Sequence, residues 1–133
     1  LYKLAAEPWV VPISVYFHNL YIQAVQSAVE LLERCAKRAG IHSETGIIAS
    51  GDVFVSDNAR KKFIVDTFDA ISCEMEGAAI AQVCYVNGVE FGTFRAISDN
   101  GDENSGRDYK DALRIASDTS VRMLYAFLEE YGK

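Results

Sequence analysis

The sequence is poor in the features that build special chemistry. It has three cysteines, Cys35, Cys73 and Cys84, an odd number with no Cys-x-x-Cys spacing. That pattern argues against a disulfide framework and against a thiolate zinc site, and no metal or cofactor is expected. The cysteines read as reduced, mostly buried thiols of a cytoplasmic protein. Basic clusters are also missing. The net charge is −6, and the one basic run, Arg60-Lys61-Lys62, is short, so nucleic acid and anionic membrane surfaces are poor partners. No uninterrupted apolar run is long enough to span a bilayer, and no signal peptide is visible. There is no Gly-x-Gly-x-x-Gly and no Walker motif, so dinucleotide and P-loop chemistry have no support. The polar stretch Asn100–Arg107 fails the EF-hand pattern, because Gly101 and Asn104 stand where an acid or amide and a glycine are required. No repeat, low-complexity tract or internal linker divides the chain.

What remains is an ordinary globular composition. Half of the 133 residues are hydrophobic and 24% are charged, the balance of one soluble domain spanning residues 1–133. Leu1–Phe17 shows no clear period and holds both prolines, Pro8 and Pro12, which favour an extended or turning path. From Asn19 to Ala39, Leu20, Ala24, Ala28, Leu31, Leu32, Cys35 and Ala39 recur at three and four. This predicts a helix with Asn19 as N-cap and Gly40 just past its end. Gly46–Ala49 is a short buried strand closed by Ser50-Gly51-Asp52. Ser56 or Asp57 caps a helix over Asn58–Phe68. Asp69–Glu74 is a strand, Glu76–Asn87 a helix ended by Gly88, and Val89–Ile97 a strand covered on both faces. The last helix runs from Asp108 to Tyr131, with Tyr109, Leu113, Ala116, Ser120, Met123, Leu124, Phe127 and Tyr131 on its core stripe.

The stretch Ser72–Asn100 therefore reads strand, carboxylate, helix, strand, carboxylate. In such a βαβ unit the second strand returns parallel to the first. Glu76 and Asp99 then share the C-terminal edge of the sheet, where open α/β sheets bind ligands. Each also has a plainer reading. A glutamate at a helix N-terminus interacts with the macrodipole, Ser98-Asp99 suits a helix cap or Asx-turn, and Phe54 suits an ordinary core aromatic.

Three motifs in order, Ser50-Gly51-Asp52-Val53-Phe54, Glu74-Met75-Glu76-Gly77-Ala78-Ala79 and Arg95-Ala96-Ile97-Ser98-Asp99, resemble the purine nucleosidase/phosphorylase family. Within it they resemble the branch of 5′-methylthioadenosine/S-adenosylhomocysteine nucleosidases. The match is good from about His42 to Tyr131. It implies a three-layer α/β/α nucleoside phosphorylase-like fold with a mixed central sheet. It also implies hydrolysis of an N-glycosidic bond with release of adenine. Phe54 would stack on the purine, and Val55 would offer backbone groups to the base edge. Glu76 would accept from both ribose hydroxyls, as one ionised carboxylate can, with Met75 against the sugar. Glu74, two residues back on an extended segment, shares the face of Glu76 and can support it. Asp99 would protonate the departing purine at N7, Ser98 would position the base, and Arg95 would orient the carboxylates.

The resemblance further implies a homodimer in which the Leu1–Phe17 loop, through Pro12 and Phe17, reaches the neighbouring site. Here the sequence departs from the family, with Trp9-Val10-Val11 where a glycine is usual. A connector packed on the body is the equal alternative. The family is longer than this chain, which begins at Leu1 without a methionine. The expectation is a C-terminal portion lacking the N-terminal strands and the water-activating glutamate. Phosphorylases, futalosine-type hydrolases and a non-catalytic purine-binding module share much of this pattern.

Overall fold

The computed structural model describes residues 3–6, 21–102 and 109–131. Pro12, Phe17, Asn19 and most of the Asn100–Arg107 loop lie outside them. In chain order the elements are β1 (Lys3–Ala6), β2 (Tyr21–Gln23), α1 (Gln26–Arg38), β3 (Ile47–Ser50), α2 (Asn58–Phe68), β4 (Ala70–Glu74), α3 (Gly77–Val86) and α4 (Tyr109–Tyr131). The strands form one sheet in the order β2-β1-β3-β4. β2 is antiparallel to β1, and β1, β3 and β4 run parallel, so the sheet is mixed.

Alternation along β3 explains the layering, because successive side chains of a strand point to opposite faces. Ile48 packs on one face with Ala24, Val29 and Phe91 and with Ala81 of α3. Ala49 packs on the other with Ile64 and Phe68 of α2. Helices therefore cover both faces, and β3 is buried on both, as its unbroken Ile47-Ile48-Ala49 run requires. A third cluster joins α1 to α4 through Cys35, Ala36, Met123 and Ala126. Its rim carries Arg38, which donates to Glu129 Oε2 at 2.6 Å and Glu130 Oε2 at 2.9 Å.

Local signals set several element ends. Asp57 accepts from Arg60 N at 2.8 Å and caps α2, satisfying one of the amides that a helix start leaves open. α1 and α3 end alike. Ile41 N donates to Ala36 O and Gly40 N to Lys37 O; Val89 N donates to Cys84 O and Gly88 N to Tyr85 O. Gly40 and Gly88 sit at φ +63° and +64°. These are Schellman closures, which favour glycine because its backbone enters the left-handed region without a Cβ clash.

Two expected elements differ. The helix expected over Asn19–Ala39 begins only at Gln26, after the strand Tyr21–Gln23. Those three residues pair with Lys3–Ala5, a tertiary partner that spacing along one segment does not reveal. Ala24 is buried all the same, which is why the periodicity extended through it. The expected strand Val89–Ile97 is not a strand. A strand needs a ladder, and β4 is the sheet's outer strand, with no further strand paired to it among the described residues. Cavities of about 810 and 350 Å³ lie between Ile71-Ser72 of β4 and Arg95–Ile97. The segment is fastened instead at Phe91, which is buried and whose carbonyl accepts from Val25 N at 2.9 Å.

Burial also departs from expectation in places. On α4, Ala116 and Met123 are buried, whereas Leu113, Leu124 and Tyr131 are exposed. Ile80, Val83 and Val86 leave α3 with an apolar exposed face. Of the cysteines, Cys35 is buried, Cys84 half-buried and Cys73 exposed, because Cys73 and Ile71 alternate onto the uncovered side of outer strand β4. Among the described residues no helix is long and apolar enough to cross a membrane.

Candidate active site

β3 and β4 are parallel neighbours, with Ser50 opposite Glu74 at their C-terminal ends. Just beyond that pair lies an open cleft of about 200 Å³. Phe54, Val55, Glu74, Met75, Glu76, Ser98 and Asp99 all line it. The structure thus collects these residues from three separate segments of chain. Arg95 lies beside the cleft and reaches it through Glu74, while Pro12 is outside the described residues.

One side of the cleft is apolar. Phe54 and Met75 are 52% and 45% exposed, so Phe54 is not a core aromatic but an exposed one that lines the cleft. Val55 is buried against Ile64 and Phe68 and forms the floor. A flat apolar ring beside backbone groups at a strand end suits a planar heteroaromatic ligand.

The acidic side is organised around Glu74. Its side chain is only 10% exposed. Oε2 accepts from Glu76 N at 3.0 Å, Gly77 N at 2.7 Å and Arg95 Nη2 at 2.5 Å. Glu74 therefore caps α3 from the preceding strand, and its buried charge is balanced by a guanidinium, as a buried carboxylate requires. The same Arg95 nitrogen lies 3.9 Å from Glu76 Oε2. Arg95 thus bridges the two carboxylates. Glu76 itself is 65% exposed at its side chain and makes no cap bond to its own helix. Its carboxylate is open to a ligand's hydroxyls, while its backbone is fixed by Glu74.

Asp99 is held by its own loop. Oδ1 accepts from Gly101 N and Oδ2 from the Ser98 hydroxyl, both at 2.8 Å. The first bond makes an Asx-turn, so the plainer reading of Asp99 and its place in the cleft hold together. Cys73 and Ser50 also line the cleft. Ser50 was not among the expected site residues. Its signal was a polar residue ending the apolar Ile47-Ile48-Ala49 run immediately before a glycine.

Residues 7–129 match the family described as Phosphorylase superfamily. The chain belongs to that superfamily. The chain is 38% identical over 111 residues to the aminodeoxyfutalosine nucleosidase of Helicobacter pylori (strain J99), covering 84% of this chain and 48% of that protein. It is 40% identical over 101 residues to the 5′-methylthioadenosine/S-adenosylhomocysteine nucleosidase of Actinobacillus succinogenes, covering 75% and 44%. A Helicobacter pylori MTAN variant solved with 5′-methylthioadenosine in its active site superposes with a TM-score of 0.84 at 33% identity, over 96% of this chain and 58% of that one. The superfamily member described here thus has the nucleoside phosphorylase-like α/β fold. It spans about half the length of the curated relatives it matches.

Proposed function

We propose that this chain supplies the purine- and ribose-binding half, and the general acid, of an N-glycosidase. The reading is hydrolysis of 5′-methylthioadenosine and S-adenosylhomocysteine with release of adenine. The observation that carries it is the joining of Phe54, Glu76 and Asp99 at one cleft, in a chain similar to nucleosidases of that name.

The chemistry follows from the parts. Glycosidic cleavage passes through an oxocarbenium-like state, so negative charge near the sugar helps. Glu76, beside Arg95, accepts from both ribose hydroxyls. Phe54 and Met75 flank the base and the sugar, and Val55 presents its backbone to the base edge. The C1′–N9 bond breaks with its electron pair going to the purine, and a proton from Asp99 at N7 neutralises it. Gly101 N donates to Oδ1 of Asp99 and the Ser98 hydroxyl to Oδ2, and these bonds fix the carboxyl at the cleft. Such general acid help is worth roughly 10²–10⁴-fold. Water adds at C1′ and releases a proton to solvent, from which Asp99 is reprotonated; none of the residues assigned a role above activates that water.

A second reading has its own support: the 38% identity to an aminodeoxyfutalosine nucleosidase. It keeps every role above and changes only the 5′ substituent. A homodimer, with Pro12 completing a neighbour's site and the products entering methionine salvage, rests on the resemblance of the motifs, and a cytoplasmic location on the reading of the cysteines as reduced thiols. The test is base release from 5′-methylthioadenosine and from aminodeoxyfutalosine by the intact protein, with and without phosphate. Phosphate-independent adenine release from the thio-substrate is expected. Release only from aminodeoxyfutalosine moves the substrate to the second reading, and release only with phosphate overturns hydrolysis.

A further inference from the structure

Ser50 stands out by its burial. It is the buried polar side chain among the described residues, at 3% exposure, on a strand that is otherwise Ile47-Ile48-Ala49. An alanine would fill nearly the same space. A hydroxyl buried there needs a partner, and the partner is specific: Ser50 Oγ accepts from Ala78 N at 3.1 Å.

That bond completes a pattern. Three successive amides, Glu76, Gly77 and Ala78, open α3. The first two donate to Glu74 Oε2 and the third to Ser50 Oγ. Both acceptors come from the sheet, from register partners at the ends of β4 and β3. Gly51 N ties the two strand ends together by donating to Glu74 O at 3.0 Å. Helix starts are more often capped by the N-cap residue's own side chain. Here the N-cap is Glu76, whose side chain is left out of the capping and projects toward the cleft.

We propose that Ser50 is a positioning residue for Glu76. With Glu74 it anchors the first turn of α3 to the sheet edge, so that the Glu76 carboxylate is set for the sugar without serving as its own helix cap. The proposal rests on the nucleosidase reading and adds to it a residue that acts through Glu76. A hydroxyl that served stability alone would lower the melting temperature on removal and leave ligand discrimination untouched. A positioning hydroxyl acts on sugar-bearing ligands and spares the free base, because its bond goes to the first turn of α3, which carries Glu76, and not to Phe54, Val55 or Asp99.

The test uses Ser50→Ala and Ser50→Thr in the intact protein. Three quantities are measured for each: kcat and KM for 5′-methylthioadenosine, the Kd of free adenine, and the melting temperature. Ser50→Ala is expected to lower kcat/KM about fivefold, the size of one hydrogen bond, with adenine affinity changed less than twofold. Ser50→Thr, which keeps the hydroxyl, is expected to restore most of the loss. If the threonine methyl disrupts folding, the contrast between nucleoside and adenine in Ser50→Ala decides alone. Equal losses for nucleoside and adenine, or a lowered melting temperature with unchanged kinetics, would overturn the proposal. A wild-type protein that cleaves no purine nucleoside would instead overturn the underlying reading, and the role of Ser50 with it.

Discussion

Gly77→Ala separates a local rule from a tertiary one. Gly77 opens α3 and has no positive φ that would exclude a side chain. By helix propensity, alanine should stabilise by roughly 0.5–1 kcal/mol. The structure says otherwise. A Cβ there would stand 2.8 Å from Glu74 Oε1, 3.0 Å from Cδ and 3.1 Å from Oε2. This carboxylate is not a loose end that can swing aside, because two amides and Arg95 hold it. Displacing it loses a helix cap, about 1–2 kcal/mol, and weakens a pair whose arginine is 33% exposed, worth at most about 1 kcal/mol after solvent screening. Set against the propensity gain, the net loss is about 1–2 kcal/mol. Thermal unfolding followed by circular dichroism should show a fall of about 4 °C per kcal/mol for a domain of this size. A double-mutant cycle isolates the cause. In a Glu74→Ala background the obstacle is gone, and Gly77→Ala should become stabilising by roughly 0.5–1 kcal/mol. The same sign and size in both backgrounds would refute the reasoning.

Asp99→Asn should cut turnover by roughly 10²–10⁴-fold while adenine analogues still bind, since the amide oxygen can keep the Gly101 bond; near-normal turnover would remove Asp99 from the acid role. Glu76→Gln should weaken ribose-bearing ligands by about tenfold, the loss of a charge-assisted acceptor, and free adenine much less; calorimetry showing equal losses counts against a ribose clamp. Burial, and next the Glu130 carboxylate, push the Cys35 thiol above the ordinary range, and its hydrogen is donated to Ala126 O at 3.5 Å. The folded state therefore favours the protonated thiol. Its contribution is full below the ordinary thiol pKa of about 8.5 and is lost as pH rises through the folded value. The difference in denaturant midpoint between wild type and Cys35→Ala should shrink as pH rises above the ordinary thiol value; a constant difference would show that the thiol does not titrate this way.

Several of these features could be read from single segments. Asp57 as a cap and Gly40 and Gly88 as helix ends are decided by the nearest few residues, because an open amide or a left-handed backbone is a local demand. The buried Ile47-Ile48-Ala49 strand follows from composition over four or five residues. Of the expected site residues, Phe54, Val55, Glu74, Met75, Glu76, Ser98 and Asp99 line one cleft, with Arg95 beside it and Pro12 outside the described residues.

What the tertiary structure alone decided is pairing and facing. Tyr21–Gln23 is a strand because Lys3–Ala5 lies beside it. Val89–Ile97 is not one, despite its apolar run, because no strand among the described residues pairs with it. Glu74 looked like a companion of Glu76 and proves to be the cap of α3, locked by Arg95 from 21 residues away in sequence. Ser50 carried little signal because its partner, Ala78 N, lies 28 residues on. Hydrogen bonds and strand ladders join groups by distance in space, whereas periodicity and capping rules see only distance along the chain.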